Sequence, residues 1–109
     1  MAERFLTSGE TLHAPHLLDL EVAQVLRRYA LAGELDSARG VEALEDRADL
    51  PLTRYPHDLL LPRIWELRRN MTAYDAAYVA LAEALTAVLV TRDAALASAR
   101  VHRARVELL

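Results

Sequence analysis

"TAYDAAYVALA" (72–82), followed by "AVLVT" (87–91) and then Asp93, is the stretch on which the fold turns. Tyr74, Ala77, Tyr78, Leu81 and Leu85 recur at helical spacing, and alanines and a valine fill most remaining positions. That pattern predicts a helix buried on nearly every side. The run at 87–91 is short, β-branched and apolar, the signature of a buried strand. Asp93 stands just past that strand, where the N-cap of another helix belongs. A buried helix, a buried strand and a carboxylate at the strand's end form the repeating unit of an α/β fold.

The same alternation extends outward from this stretch. Residues 16–31 read as an amphipathic helix with Leu18, Val22, Val25, Leu26 and Tyr29 on one side, ended by Gly33. Asp36 or Ser37 starts a second helix that runs to about Ala48. "TLHAP" (11–15) and "LPLTRY" (50–55) have the character of short strands. Pro56 and Asp58 open a helix through Arg69, with Asn70 as its cap. "ARVEL" (104–108) is a last strand, and residues 2–8 read as the end of a short helix. Helices alternating with short apolar strands predict α/β architecture with a mostly parallel sheet. In such sheets ligands gather beyond the carboxyl ends of the strands, which places Asp93 beside any site.

Composition narrows the chemistry. The 109 residues suit a single domain, 1–109, and 53% apolar content suffices for one core. No apolar run reaches the length that spans a bilayer, and "MAERFLTSGE" is no signal peptide; a cytoplasmic protein with no membrane partner is the expectation. Cysteine is absent, which excludes disulfides, thiolate zinc sites and cysteine nucleophiles. All 13 basic residues are Arg, yet the formal charge is −3, so any nucleic-acid contact needs its cations concentrated in one place. Ser8, Ser37 and Ser98 sit in no nucleophile-elbow context, and there is no glycine loop to cradle phosphate. His13 and His16, three apart across Pro15, are better read as exposed or capping than as a metal pair. Trp65 is a core anchor or an interface residue. Arg63 and Arg69 each lie three residues from Glu66, the spacing of ordinary helix-surface pairs.

Three carboxylates in apolar company stand out: Glu21, Asp75 and Asp93. None has a basic residue three or four positions away to pair with, a property that Glu34 and Glu83 share. Each has a structural role open to it. Thr72-x-x-Asp75 has capping-box spacing, Asp93 is placed as an N-cap, and Glu21 can reach solvent at its helix edge. The alternative is joint. Carboxylates gathered in an apolar setting repel one another, and a divalent cation among them relieves that repulsion. Mg²⁺ or Mn²⁺ takes hard oxygen ligands, and metal ions held this way serve phosphoryl chemistry.

"PHLLDLEVAQVLRR" (15–28), "RRNMTAYDAAYVALAEAL" (68–85) and "LVTRDAALA" (89–97) resemble a PIN-domain ribonuclease, specifically a VapC-type toxin of a bacterial type II toxin–antitoxin system. The likeness covers nearly the whole chain, and its blocks occur in the family's order. The resemblance implies a three-layer α/β/α fold and a Mg²⁺- or Mn²⁺-dependent endoribonuclease. Glu21, Asp75 and Asp93 match the family's catalytic, metal-binding carboxylates, and Thr91 matches a supporting hydroxyl. It also implies an RNA substrate, neutralisation by a cognate VapB-type antitoxin, and a homodimer.

One departure stands out. Family members usually open with a strand that carries a first Asp. Here "MAERFLTSGE" reads as the helix after that strand, so the first strand and first Asp are expected to be missing; Glu3 and Glu10 do not match the motif. A start further upstream, decay of activity, or compensation by the fold, for instance with a strand from a partner, would each account for this. The alternative function is therefore an impaired, non-catalytic interaction module that binds an antitoxin or a second copy.

Overall fold

The computed structural model describes residues 4–109. Five strands, β1 (Arg4–Ser8), β2 (Thr11–Pro15), β3 (Leu52–Tyr55), β4 (Val88–Thr91) and β5 (Arg105–Leu108), form one sheet in the order β3-β2-β1-β4-β5. β1 runs antiparallel to both β2 and β4, while β2 pairs parallel with β3 and β4 parallel with β5. Four of the five strands therefore point the same way, as expected of an α/β sheet.

β1 corrects the sequence reading. Residues 4–8 are a strand at the centre of the sheet, not the end of a helix; residues 2 and 3 lie outside the described residues. The expected gap at the sheet's centre is filled. Leu6 pairs with His13 on one side and Leu89 on the other, so the backbone groups of β2 and β4 find partners. The cause is local. Ser8 pairs with Thr11 across a two-residue loop, and Gly9 has φ +60°. A glycine at the first central position suits a type II′ hairpin, whose twist matches that of the strands it joins.

The helices are α1 (Leu17–Leu31), α2 (Ser37–Ala48), α3 (Leu61–Glu66), α4 (Ala73–Leu85) and α5 (Ala94–Ser98). α4 is the helix quoted at the outset, and every residue from Ala76 to Ala82 is buried. It packs on β1, β2 and β4 and against α3. Leu6 and Leu89 meet it from the sheet with no exposed surface. Leu18, Val22 and Leu26 of α1 join the same core, whereas Tyr29, expected on that face, is exposed. The helix expected over residues 56–69 is broken into a 3-10 turn, Asp58–Leu60, and the short α3. Trp65 on α3 is 67% exposed, with the Arg68 guanidinium stacked 4.5 Å from its ring centre, so it is no core anchor. No described helix is long and apolar enough to cross a membrane.

The expected pairing on α3 is also redirected. Arg63 reaches Glu66 only at 3.8 Å. Its main partner is Glu83 of α4, through bonds of 2.7 and 3.0 Å. Glu83 also accepts the Arg103 backbone N–H at 2.8 Å, which ties α3, α4 and the approach to β5 together. His13 hydrogen-bonds Thr11 and Tyr55, and the Leu17 backbone N–H donates to His57. His13 and His57 thus serve as local hydrogen-bond partners.

Candidate active site

The carboxyl end of β4 opens on a cavity of about 660 Å³, walled by α1 and the first turn of α4. Glu21, Asp75, Thr91 and Asp93 line it, together with Arg4, Arg28 and Arg92. The three carboxylates singled out in the sequence thus line the same cavity from α1, α4 and the β4–α5 junction, Glu21 and Asp75 joined there through Arg4.

Each arrives for a local reason. Thr72 caps α4, its Oγ1 accepting the Asp75 backbone N–H at 3.1 Å. The cap fixes the first turn of the helix but does not use the Asp75 carboxylate, which points into the cavity. Asp93 is the N-cap of α5, and its Oδ1 accepts from Ala95 and Leu96 at 2.9 and 3.2 Å. The Thr91 side chain, 1% exposed, accepts the Asp93 backbone N–H at 3.1 Å, so Thr91 sets the turn that carries Asp93. Glu21 is partly exposed, yet its carboxylate is engaged inside the cavity. Its Oε1 accepts a 2.7 Å hydrogen bond from the Tyr78 hydroxyl. Burial, reinforced by the carboxylate of Glu21, pushes the Tyr78 phenol well up, which keeps it a neutral donor.

The residue that sequence reading missed is Arg4. Its Nη2 lies 2.7 Å from Glu21 Oε2, its Nε 3.4 Å from Glu21 Oε1, and its Nη1 donates to Asp75 Oδ1. The guanidinium also lies over the Tyr78 ring, 4.2 Å from its centre. Burial works against the Arg4 charge, but the hydrogen bonds it donates to Glu21 and Asp75, with their negative charge, outweigh it and raise the pKa. The register explains the placement: Arg4 pairs with Thr91 across the β1–β4 ladder, so the strand delivers its first described residue to the end of the sheet where the carboxylates gather. Two carboxylates this close need a cation between them, and here the chain supplies it. Among the described residues no three His, Asp or Glu side chains converge as metal ligands.

Arg28 and Arg92 differ from Arg4. Both line the cavity, and neither has an ion pair or side-chain hydrogen bond among the described residues.

An α/β sheet with acidic residues at the carboxyl ends of its parallel strands defines a class, and comparison gives the class its name. Residues 1–101 match the PIN domain family. The chain belongs to the PIN domain family, and its relatives there are VapC proteins. It is 53% identical over 90 residues to ribonuclease VapC9 of Mycobacterium tuberculosis, covering 83% of this chain and 71% of that protein. It is 48% identical over 97 residues to ribonuclease VapC1 of the same organism, covering 88% and 73%. Ribonuclease VapC12 is 37% identical over 101 residues, covering 93% and 78%.

Proposed function

We propose that this chain is a toxin-type endoribonuclease that hydrolyses RNA phosphodiester bonds, with Glu21, Asp75 and Asp93 as its acidic residues and Thr91 supporting Asp93. What supports the reading is that these three carboxylates line one cavity, in a chain half identical to proteins named as ribonucleases. Arg28 and Arg92 line the same cavity without carboxylate partners among the described residues, which leaves their guanidinium forks open to backbone phosphates. A net-acidic protein holds RNA by such local concentration of cations. A VapB-type antitoxin as inhibitor, a homodimer as the working form and the cytoplasm as its place belong to the same proposal.

Mg²⁺ or Mn²⁺ is the cofactor this reading calls for. The donors are right in kind, since carboxylate oxygens suit hard divalent ions. Their arrangement does not fit one. Three of the four oxygens of Glu21 and Asp75 already face an N–H or O–H donor, and the guanidinium fills the space between the two side chains. Metal at this site requires Arg4 to withdraw.

The test is cleavage of a mixed RNA pool with Mn²⁺, by the chain and by its Arg4→Gln variant, each beside a partner carrying Asp75→Asn. Cleavage that EDTA stops and Asp75→Asn abolishes is the expected result. Folded protein that leaves RNA intact in both backgrounds would sink the proposal.

A further inference from the structure

We propose that Arg4 is the resident cation of the acidic cavity and competes with a divalent metal ion for it. The inference rests on the reading of the cavity as a ribonuclease's acidic site, and it adds a gate within the chain.

The argument is geometric. The guanidinium holds Glu21 with two nitrogens and Asp75 with a third, with the Tyr78 ring beneath it. The Arg4 side chain is 12% exposed, whereas Glu21 and Asp75 are 34% and 28% exposed. The cation is thus more enclosed than either carboxylate it joins. Tyr78 completes the arrangement by donating to the Glu21 oxygen that Arg4 holds least closely, at 3.4 Å. The seat is fixed from behind, because the Arg4 backbone belongs to the central strand and pairs with Thr91. Departure of the guanidinium therefore means swinging a side chain out from a fixed backbone position, which breaks both ion pairs but leaves the sheet intact.

Charge and coordination make the two cations exclusive. Mg²⁺ demands near-octahedral oxygen ligation at about 2.0–2.1 Å, and it cannot share carboxylate oxygens that point at guanidinium hydrogens. Metal binding must first select the conformer in which Arg4 has left. Its apparent affinity is then lowered by the fraction of chain in that conformer. Removing the guanidinium abolishes that penalty and leaves Glu21 and Asp75 facing each other without a counter-ion, which favours a metal further.

The experiment measures metal binding in place of turnover. Free Mn²⁺ is followed by its paramagnetic resonance signal during titration of the full chain and of Arg4→Gln, with Arg4→Met as the second variant should the amide fail to fold. In parallel, the Arg4 Nε–H resonance of the ¹⁵N-labelled wild-type chain is followed during addition of Mg²⁺. The expected result is Mn²⁺ binding tighter by at least about tenfold in the variant. In the wild type, the Arg4 resonance moves to its solvent-exposed position over the range in which Mg²⁺ binds. Equal Mn²⁺ affinity in wild type and folded variant overturns the proposal, as does Mg²⁺ binding that leaves the Arg4 resonance unmoved. RNA cleavage separates the two layers. Tight Mn²⁺ binding by Arg4→Gln without cleavage would sink the ribonuclease reading and keep Arg4 as the resident cation. Cleavage with equal Mn²⁺ affinities would do the reverse.

Discussion

Glu83 is the residue through which the tertiary structure can be probed most sharply. Its side chain is 8% exposed, and it accepts two bonds from Arg63 and one from the Arg103 backbone. The Arg63 hydrogen bonds, helped by the Arg103 N–H and opposed by burial, hold its carboxyl below the ordinary value of 4.5. Glu83→Gln keeps the shape and an acceptor for Arg103, but it removes the charge. Charge-assisted hydrogen bonds are worth about 1.5–3 kcal/mol. Breaking a buried pair costs more, about 3–5 kcal/mol, when the survivor is stranded. Arg63 is 28% exposed and regains water, and one amide oxygen still accepts. The expected loss is therefore about 2 kcal/mol near neutral pH. The sign of the pH dependence follows from a depressed folded value. The stabilisation is present above 4.5 and is lost as pH falls through the lower folded value. Urea denaturation followed by circular dichroism, at neutral pH and in the most acid buffer that preserves the fold, should show the gap between wild type and Glu83→Gln narrowing in acid. A gap that is absent at neutral pH, or equal at both, would refute the reasoning.

Three further outcomes follow from particular residues. Leu6→Ala, at a fully buried position in the central strand, should cost about 3 kcal/mol in urea unfolding; a loss under about 1 kcal/mol would contradict the placement of β1. Thr86 ends α4 in the left-handed region at φ 51°, where a β-branched residue is strained. Thr86→Gly should raise stability by about 1 kcal/mol, read as a higher denaturation midpoint, and an unchanged or lower midpoint would count against that strain. Asp93→Asn keeps a good N-cap for α5, because Asn caps about as well as Asp. Its melting temperature should stay close to the wild-type value while RNA cleavage falls in the Arg4→Gln background; unchanged cleavage there would remove Asp93 from the acidic site.

Much of this was readable from the sequence because it is encoded locally. The spacing of Tyr78, Leu81 and Leu85, the Thr72 cap and the β-branched run before Asp93 each act within a few residues, and all three appear where the pattern places them. PIN domain membership was legible for a related reason, since its motif blocks are contiguous. Two features were not. β1 was misread because "RFLTS" has no strong β-branched signal; the available cue was the two-residue Gly9-Glu10 loop between two short runs, which suits a hairpin. The Arg4 contacts span 17 and 71 residues, beyond any periodicity. They exist only because β1 inserts antiparallel between β2 and β4 and turns its first described residue toward α1 and α4. Arg63 shows the same effect on a smaller scale: helix spacing pointed to Glu66, and the packing of α3 on α4 gave it Glu83 instead.

The most direct test of the whole account is a side-by-side measurement of RNA cleavage with saturating Mn²⁺ by the wild-type chain, Arg4→Gln, and Arg4→Gln combined with Asp75→Asn, each shown to be folded. The account predicts slow cleavage by the wild type, faster cleavage by Arg4→Gln, and none by the double variant. Cleavage that persists in the double variant, or its absence from all three, would contradict the assignment of this acidic cavity as a ribonuclease site.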